Sequence, residues 1–174
     1  MTKGERQRLV SHLEMTEAWL KSEVNGLSKA QLEFKPTPDS WSVANVVEHL
    51  GIAEPQYWQN LQDGLAKPPS EERGKGTDAD ILWYGIDHGN RARTGEAREP
   101  KGQFESTAKA LESFVKLRAK LLDYARTTDA DLRGHDLGKG AMDTYQWFVM
   151  ISSHAQRHIM RIREIKADPK WPAK

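Results

Sequence analysis

The chain has 174 residues, a length that fits a single domain, and we expect residues 1–174 to form one. Its 26 Lys and Arg against 25 Asp and Glu give a net charge of +1, which disfavours a nucleic-acid partner because no strong positive field is available for phosphates. Cysteine is absent, so disulfides, thiolate metal ligands and a protein thiol nucleophile are excluded.

Four segments show helical periodicity, and none alternates with a period of two for long enough to predict a sheet. The first begins with Thr2 and Glu5 at the spacing of a capping box and ends near Gly26. The second has Ser42 placed as its N-cap and ends near Asp63-Gly64.

The stretch from Lys67 to Lys101 breaks this pattern with Pro, Gly and many charges, apart from one apolar cluster at Ile81-Leu82-Trp83-Tyr84. A connection of this length is typical of a functional loop, of a loop packed by its own short helix, or of a crossover between bundle helices. The third helical segment then runs to about Arg126. The fourth begins with Asp143 and Gln146 at capping-box spacing, and Pro169 stops it. The sequence therefore predicts an all-α four-helix bundle.

The six histidines differ in setting. His12, His88 and His135 lie among polar or Gly-rich neighbours, which favours solvated or locally hydrogen-bonded rings. His154 and His158 are four residues apart on the face of the fourth segment that also carries its apolar residues, so both rings point toward the bundle core and can reach one ion.

His49 lies at the edge of the apolar stripe of the second segment, where it can meet the pair on a neighbouring helix. Three histidines would leave an open coordination position, as in catalytic rather than structural metal sites. The alternative is that each ring is satisfied by hydrogen bonds to other helices or to water. Zinc is the expected divalent ion, with nickel, iron and manganese as alternatives that neutral nitrogen ligands also accept.

Two motifs carry a resemblance to a known family. Pro38-Asp39-Ser40-Trp41-Ser42-Val43 leading to His49-Leu50, followed far downstream by His154-Ala155-Gln156-Arg157-His158, is similar to the DinB-like, or YfiT-type, superfamily. The resemblance covers nearly the whole chain. It implies an up-down-down-up bundle, with the long connection as the crossover between the second and third helices. It also implies a homodimer and a divalent metal bound by His49, His154 and His158.

The resemblance implies two kinds of chemistry. Some relatives are S-transferases or isomerases that use a low-molecular-weight thiol as cosubstrate, and others are described as metal-dependent hydrolases. A zincin-type hydrolase would have Glu beside its first histidine ligand, whereas this chain has Ala155. Glu48 is turned about 100° from His49 on a helix and is given little weight as a base. Arg161 lies within about 20° of His154 on the helical wheel and is the candidate catalytic residue, either binding an anionic substrate or orienting a metal ligand. The alternative is a side chain that extends into solvent past the end of the bundle.

We therefore expect a metal-dependent enzyme acting on a small molecule, with thiol-dependent S-transfer to a small electrophile as the leading hypothesis. Hydrolysis by a metal-bound hydroxide is the nearest alternative, and a non-catalytic metal or small-molecule binding protein is another. No apolar run reaches the ~20 residues of a membrane span, and the N-terminus lacks an apolar signal core, so the expected location is the cytoplasm, without a membrane partner. The three tryptophans Trp41, Trp58 and Trp147 are predicted core or dimer-interface residues.

Overall fold

The computed structural model describes residues 1–70, 76–87, 94–137 and 142–173. Within these ranges the chain is helical, and the only strand-like pairing is an isolated bridge between Asp136 and Asp143. The prediction of an all-α fold is confirmed. The helices are α1 (Lys3–Val24), α2 (Lys29–Glu33), α3 (Val43–Leu65), α4 (Asp78–Tyr84), α5 (Thr107–Thr127) and α6 (Thr144–Lys166), with a 3-10 turn at Glu96–Arg98.

The long helices begin where their capping signals predict. The side chains of Thr2, Ser42 and Asp143 each accept a hydrogen bond from the backbone N–H three residues on. The side chain of that later residue in turn accepts a hydrogen bond from the backbone N–H of the cap residue. The same signal starts the short helix α2 at Ser28, which the apolar pattern did not predict because five residues are too few to show a period. Helix α3 continues through Pro55 to Leu65, close to its predicted end.

Contacts between the four long helices establish their directions. The start of α1 meets the end of α5, where Arg6 donates to the carbonyl of Ala125. Helices α1 and α6 run parallel, because Tyr145 near the start of α6 donates to the carbonyl of Glu5 while Lys166 at its end donates to Glu23.

Helix α3 is antiparallel to α6 and parallel to α5. His49 lies near His154 whereas Tyr57 lies near Trp147, and the parallel pairing with α5 joins Glu54 to Arg118 and Trp58 to Tyr124. The bundle is therefore up-down-down-up, as predicted, and each long helix packs on its parallel partner and on one antiparallel neighbour, α1 on α5 and α3 on α6.

The connection between α3 and α5 crosses the length of the bundle, because α3 and α5 run in the same direction. It contains α4, which packs on α6 through buried Ile81 while Leu82 and Trp83 remain exposed. His88 falls outside the described residues. None of the helices in the described ranges has both the length and the apolar character needed to cross a bilayer.

The bundle interior contains two hydrophobic clusters, one around Leu13, Leu61 and Phe148 and the other around Leu20, Leu50 and Ile159. On α6, Ile151 belongs to the first cluster and Ala155 to the second. The middle of α6, including His154, therefore lies at the boundary between two apolar regions, which limits access of water from both ends.

A charged pair is fully buried between α3 and α5. Both side chains are 0% exposed, and Arg118 donates from Nε and Nη2 to the two carboxylate oxygens of Glu54, at 2.9 and 2.5 Å. Burial raises the pKa of Glu54, and the guanidinium opposes that rise. Arg118 also lies over the ring of Phe114, and its Nη1 has no hydrogen-bond partner. This pair joins the two parallel helices at one defined register.

A second ionic cluster ties together the N-termini of three helices. Arg133 donates to Glu5 of α1, to Asp78 of α4 and to Asp143, the N-cap of α6. Burial alone would raise the pKa of Glu5, but hydrogen bonds from Thr2 and Arg133 lower it to about 2. The hydrogen bond from Arg133 likewise lowers the pKa of Asp78.

We expect Arg133→Gln to lower the free energy of unfolding by about 2 kcal/mol at pH 7, because it removes charge-assisted hydrogen bonds that are partly exposed. Carboxylates with lowered pKa values stabilise the fold above their ordinary pKa, and that contribution is lost as pH falls toward about 2. Urea unfolding at several pH values should therefore show the difference from wild type shrinking below about pH 4.5. A difference that stays constant from pH 7 to pH 3 would contradict this assignment.

Candidate metal centre

Three histidine rings from two helices meet inside the bundle. The Nε2 atom of His154 is 3.2 Å from Nε2 of His49 and 3.1 Å from Nε2 of His158. One nitrogen of each ring lies within 4.8 Å of the others. His49 and His154 are 1% and 3% exposed, and His158 is partly exposed. The three residues that the sequence predicts as ligands are therefore brought together.

The packing of α3 against α6 produces this arrangement. His154 and His158 are one helical turn apart and face the same side of α6. Because α3 runs antiparallel to α6, the edge of its apolar stripe brings His49 onto that side. The ring centroids of His49 and His158 are 4.5 Å apart, as are those of His154 and His158.

The orientation of His49 is fixed by a backbone contact from the crossover. Its Nδ1 is 2.8 Å from the carbonyl oxygen of Arg98. Because a carbonyl oxygen only accepts, Nδ1 carries the proton, and the lone pair of the neutral ring is at Nε2, facing the other two histidines. A histidine ligand held through its second nitrogen in this way is common in metal sites.

His154 is held neutral by its surroundings. Burial lowers its pKa well below the ordinary value, and the charges of His158, His49 and Arg98 add to that effect. A neutral imidazole has a lone pair available at neutral pH, so protons do not compete with a metal. Its Nδ1 is buried without a hydrogen-bond partner in the structure.

These residues fit a divalent ion bound by nitrogen. Three ligands at ~2.0–2.1 Å from a tetrahedral ion are separated by about 3.3 Å, close to the 3.1 and 3.2 Å observed between Nε2 atoms. Among the described residues, the cluster contains no carboxylate. A three-nitrogen set leaves at least one coordination position for an exchangeable ligand.

Two aromatic side chains flank the histidines. The ring of Trp41 lies 4.9 Å from that of His49 and stacks on His158 at 5.9 Å, so this tryptophan, predicted as core or dimer interface, is also a wall of the metal centre. Tyr57 packs edge-on against His154 at 4.9 Å. Trp147 and Trp58 are partly buried and pack against the first hydrophobic cluster, and Trp147 donates to the carbonyl of Tyr57.

The remaining polar candidates on the helices have partners of their own. Arg161 donates to Glu164 on the same helix at 2.6 Å. Glu48 accepts from the backbone N–H groups of Gly102 and Gln103, which agrees with the little weight given to it as a base. Asn45 completes the capping box with Ser42.

Two histidines outside the cluster differ from each other. His135 bonds at the periphery of the bundle, where its Nδ1 lies 2.9 Å from the carbonyl oxygen of Lys67, a residue distant in sequence. His12 does not bond locally: its Nε2 is 2.8 Å from Oε1 of Gln156 on α6, and its buried Nδ1 has no partner. The prediction for His12 was wrong because a polar sequence neighbourhood does not reveal which helix face turns inward.

Sequence reasoning missed Arg98. Its carbonyl bonds His49, and its guanidinium carbon lies 5.5 Å from the ring centroid of Tyr57. It follows a stretch of the crossover without periodicity, so no sequence signal indicated which of the many charges there faces the histidines.

The fold and the site together define a four-helix bundle with a buried three-histidine cluster of the kind that binds a divalent metal. A family model of the DinB superfamily matches residues 11–162, and the chain belongs to this superfamily. It is 24% identical over 157 residues to the uncharacterized protein YuaE of Bacillus subtilis strain 168, covering 86% of this chain and 91% of YuaE.

The solved structure of YfiT from Bacillus subtilis has the same fold. The TM-score is 0.67 at 18% identity, and the match covers 99% of this chain and 91% of YfiT. YfiT is described as a probable metal-dependent hydrolase with an unusual four-helix bundle topology. The resemblance to the DinB-like superfamily is thereby confirmed.

Proposed function

We propose that this protein is a metal-dependent enzyme in which His49, His154 and His158 bind a divalent cation, zinc first among the candidates, and that it transfers a low-molecular-weight thiol to a small electrophile. The observation that carries the metal assignment is the convergence of the three Nε2 atoms, with the tautomer of His49 fixed by the carbonyl of Arg98. When bound, the cation lowers the pKa of a coordinated thiol or water and so supplies a nucleophile at neutral pH.

The surroundings of the cluster favour a thiol over water as the nucleophile. Hydrolysis generally uses a general base within hydrogen-bond reach of the attacking water. The described side chains that pack on the histidine rings are Trp41 and Tyr57, and Ala155 occupies the position where zincins have their glutamate. A thiol needs no such base once it has lost its proton, and the chain supplies no cysteine of its own.

In the proposed reaction the thiol R–SH releases its proton to water, and the sulfur lone pair attacks the electrophilic carbon. A C–S bond forms while the bond to the leaving group breaks, and the leaving group departs with its electron pair. Trp41 and Tyr57 exclude water from the rings that hold the cation. Arg161 stays a predicted anion-binding residue, now paired with Glu164.

Hydrolysis is the second candidate, and the described role of YfiT, whose fold this chain shares, favours it. Binding of a metal or small molecule without turnover is the third. We also propose a cytoplasmic location and a homodimer, which gel filtration with light scattering would test.

Turnover assays separate these functions. Zinc-loaded protein would be incubated with 1-chloro-2,4-dinitrobenzene and a panel of thiols, namely glutathione, cysteine and coenzyme A, and separately with p-nitrophenyl acetate without thiol. We expect thioether formation that disappears on chelation and in His158→Ala but persists in His135→Ala, whose exposed ring lies outside the cluster. Ester hydrolysis without thiol would instead support the hydrolase, and bound metal without turnover in either assay would support the binding protein.

A further inference from the structure

The guanidinium of Arg98 shares a wall with the histidine cluster. The backbone carbonyl of Arg98 accepts from His49, which anchors the 3-10 turn Glu96–Arg98 beside the cluster. The side chain then extends over Tyr57, whose ring also contacts His154. The ring of Tyr57 thus lies beside both His154 and the guanidinium of Arg98.

Among the residues that the structure describes, no side chain or backbone oxygen accepts from this guanidinium. Arg98 is only partly exposed, and its Nε is buried without a hydrogen-bond partner. By contrast, Arg118 is bonded to Glu54 and Arg133 to Glu5. A partly buried donor group with no acceptor is unfavourable unless a ligand supplies one.

The charge balance at the site points to an anion. The guanidinium carbon of Arg98 lies 5.5 Å from the ring centroid of Tyr57, and that ring lies 4.9 Å from the ring of His154. The three ligands are neutral, and the cluster has no carboxylate among the described residues to offset a divalent ion. A site with excess positive charge and a planar guanidinium fork favours a ligand that carries a carboxylate.

We propose that Arg98 determines specificity by binding a carboxylate on the small molecule whose reacting end lies at His49, His154 and His158. The substrate class is therefore a carboxylate-bearing thiol, or an electrophile carrying a carboxylate close to its reacting carbon. This inference rests on the proposed metal site and deepens it, since it names the group that is recognised. Arg98, on the crossover, thus takes the anion-binding role that the sequence predicted for Arg161 on α6.

A binding experiment tests this without relying on turnover. Cobalt-substituted protein would be titrated with 3-mercaptopropionate and with its neutral amide, following the sulfur-to-cobalt absorption band. Wild type is expected to bind the acid about 10-fold more tightly or better, because the carboxylate gains a charge-assisted bidentate hydrogen bond. Arg98→Gln should bring the ratio to about 1, and Arg98→Lys should give an intermediate ratio because a point charge replaces the fork.

Two controls distinguish the loss of carboxylate binding from a general change in charge and from a disturbed fold. Arg126→Gln removes an exposed guanidinium paired with Glu14 and should keep the wild-type ratio. Affinity for cobalt should not fall in Arg98→Gln, since the carbonyl bonded to His49 belongs to the backbone and loss of a nearby positive charge does not weaken the binding of a cation. Retention of the preference in Arg98→Gln, or its loss in Arg161→Gln instead, overturns the proposal.

The failure of the thiol hypothesis has a distinct signature. If neither thiol produces the absorption band in wild type, thiol binding at the metal is wrong, and succinate is then titrated by calorimetry. Succinate binding that is at least about 10-fold weaker in Arg98→Gln still supports a carboxylate site at Arg98. Equal binding in the two proteins, or none in wild type, overturns it.

Discussion

Glu54→Gln is expected to lower the free energy of unfolding by about 3–5 kcal/mol, because it leaves the buried guanidinium of Arg118 without a compensating charge. Urea unfolding of metal-free protein followed by circular dichroism measures this loss directly. Replacing both partners by apolar residues, as in Glu54→Leu with Arg118→Met, should recover most of the stability, since neither charge then remains in the core.

The chain contains a matched control for this pair. Arg126 donates to Glu14 at 2.5 Å, the same separation as between Arg118 Nη2 and Glu54, but the two side chains are 52% and 50% exposed instead of 0%. Glu14→Gln should therefore change the free energy of unfolding by less than about 1 kcal/mol. Similar losses for Glu14→Gln and Glu54→Gln would show that burial is not the source of the effect.

His154→Ala is expected to weaken zinc binding by more than about 100-fold, beyond the ~10–100-fold loss typical when a partner outside the coordination shell is removed. Its Nε2 is the central atom of the cluster, within 3.2 Å of both other Nε2 atoms. Competition with a chromophoric chelator measures the affinity. Thermal unfolding supplies a second readout, because zinc at ~100 times its dissociation constant stabilises the wild type by about 2.7 kcal/mol and should not stabilise the variant.

His135→Ala serves as the control for this experiment, since it removes an imidazole that lies outside the cluster and bonds the carbonyl of Lys67. It should bind zinc like the wild type. Unchanged stoichiometry and affinity in His154→Ala would mean that the three histidines are not the metal centre.

The sequence was sufficient to predict the four long helices because all show apolar periodicity and three of them also carry a capping signal. Apolar periodicity places the body of the helix, and the capping residues Thr2, Ser42 and Asp143 place its start. The His154 and His158 pair followed from helix geometry alone, as two residues one turn apart. Placing His49 in the same cluster required the expectation that its helix packs beside that pair. The resemblance to the DinB-like superfamily strengthened this expectation.

The buried ion pair of Glu54 and Arg118 was not predicted, although the sequence contains a signal for it. Glu54 lies four residues after Leu50, and Arg118 four residues after Phe114, so each occupies a position on a buried stripe. Two opposite charges at such positions on different helices indicate a buried pair. Arg98 could not be found in this way, because its position depends on the path of the crossover rather than on any helical period.

The candidate metal ligands and the proposed specificity residue belong to different parts of the fold. The three histidines belong to α3 and α6, which the bundle core holds in place. Arg98 belongs instead to the crossover, where its backbone carbonyl bonds His49 and its guanidinium lies over Tyr57. Under the role proposed for Arg98, substitutions in that segment would alter which molecules are accepted while the three histidines stay unchanged. Residues 94–100 are then the region to randomise when redirecting selectivity.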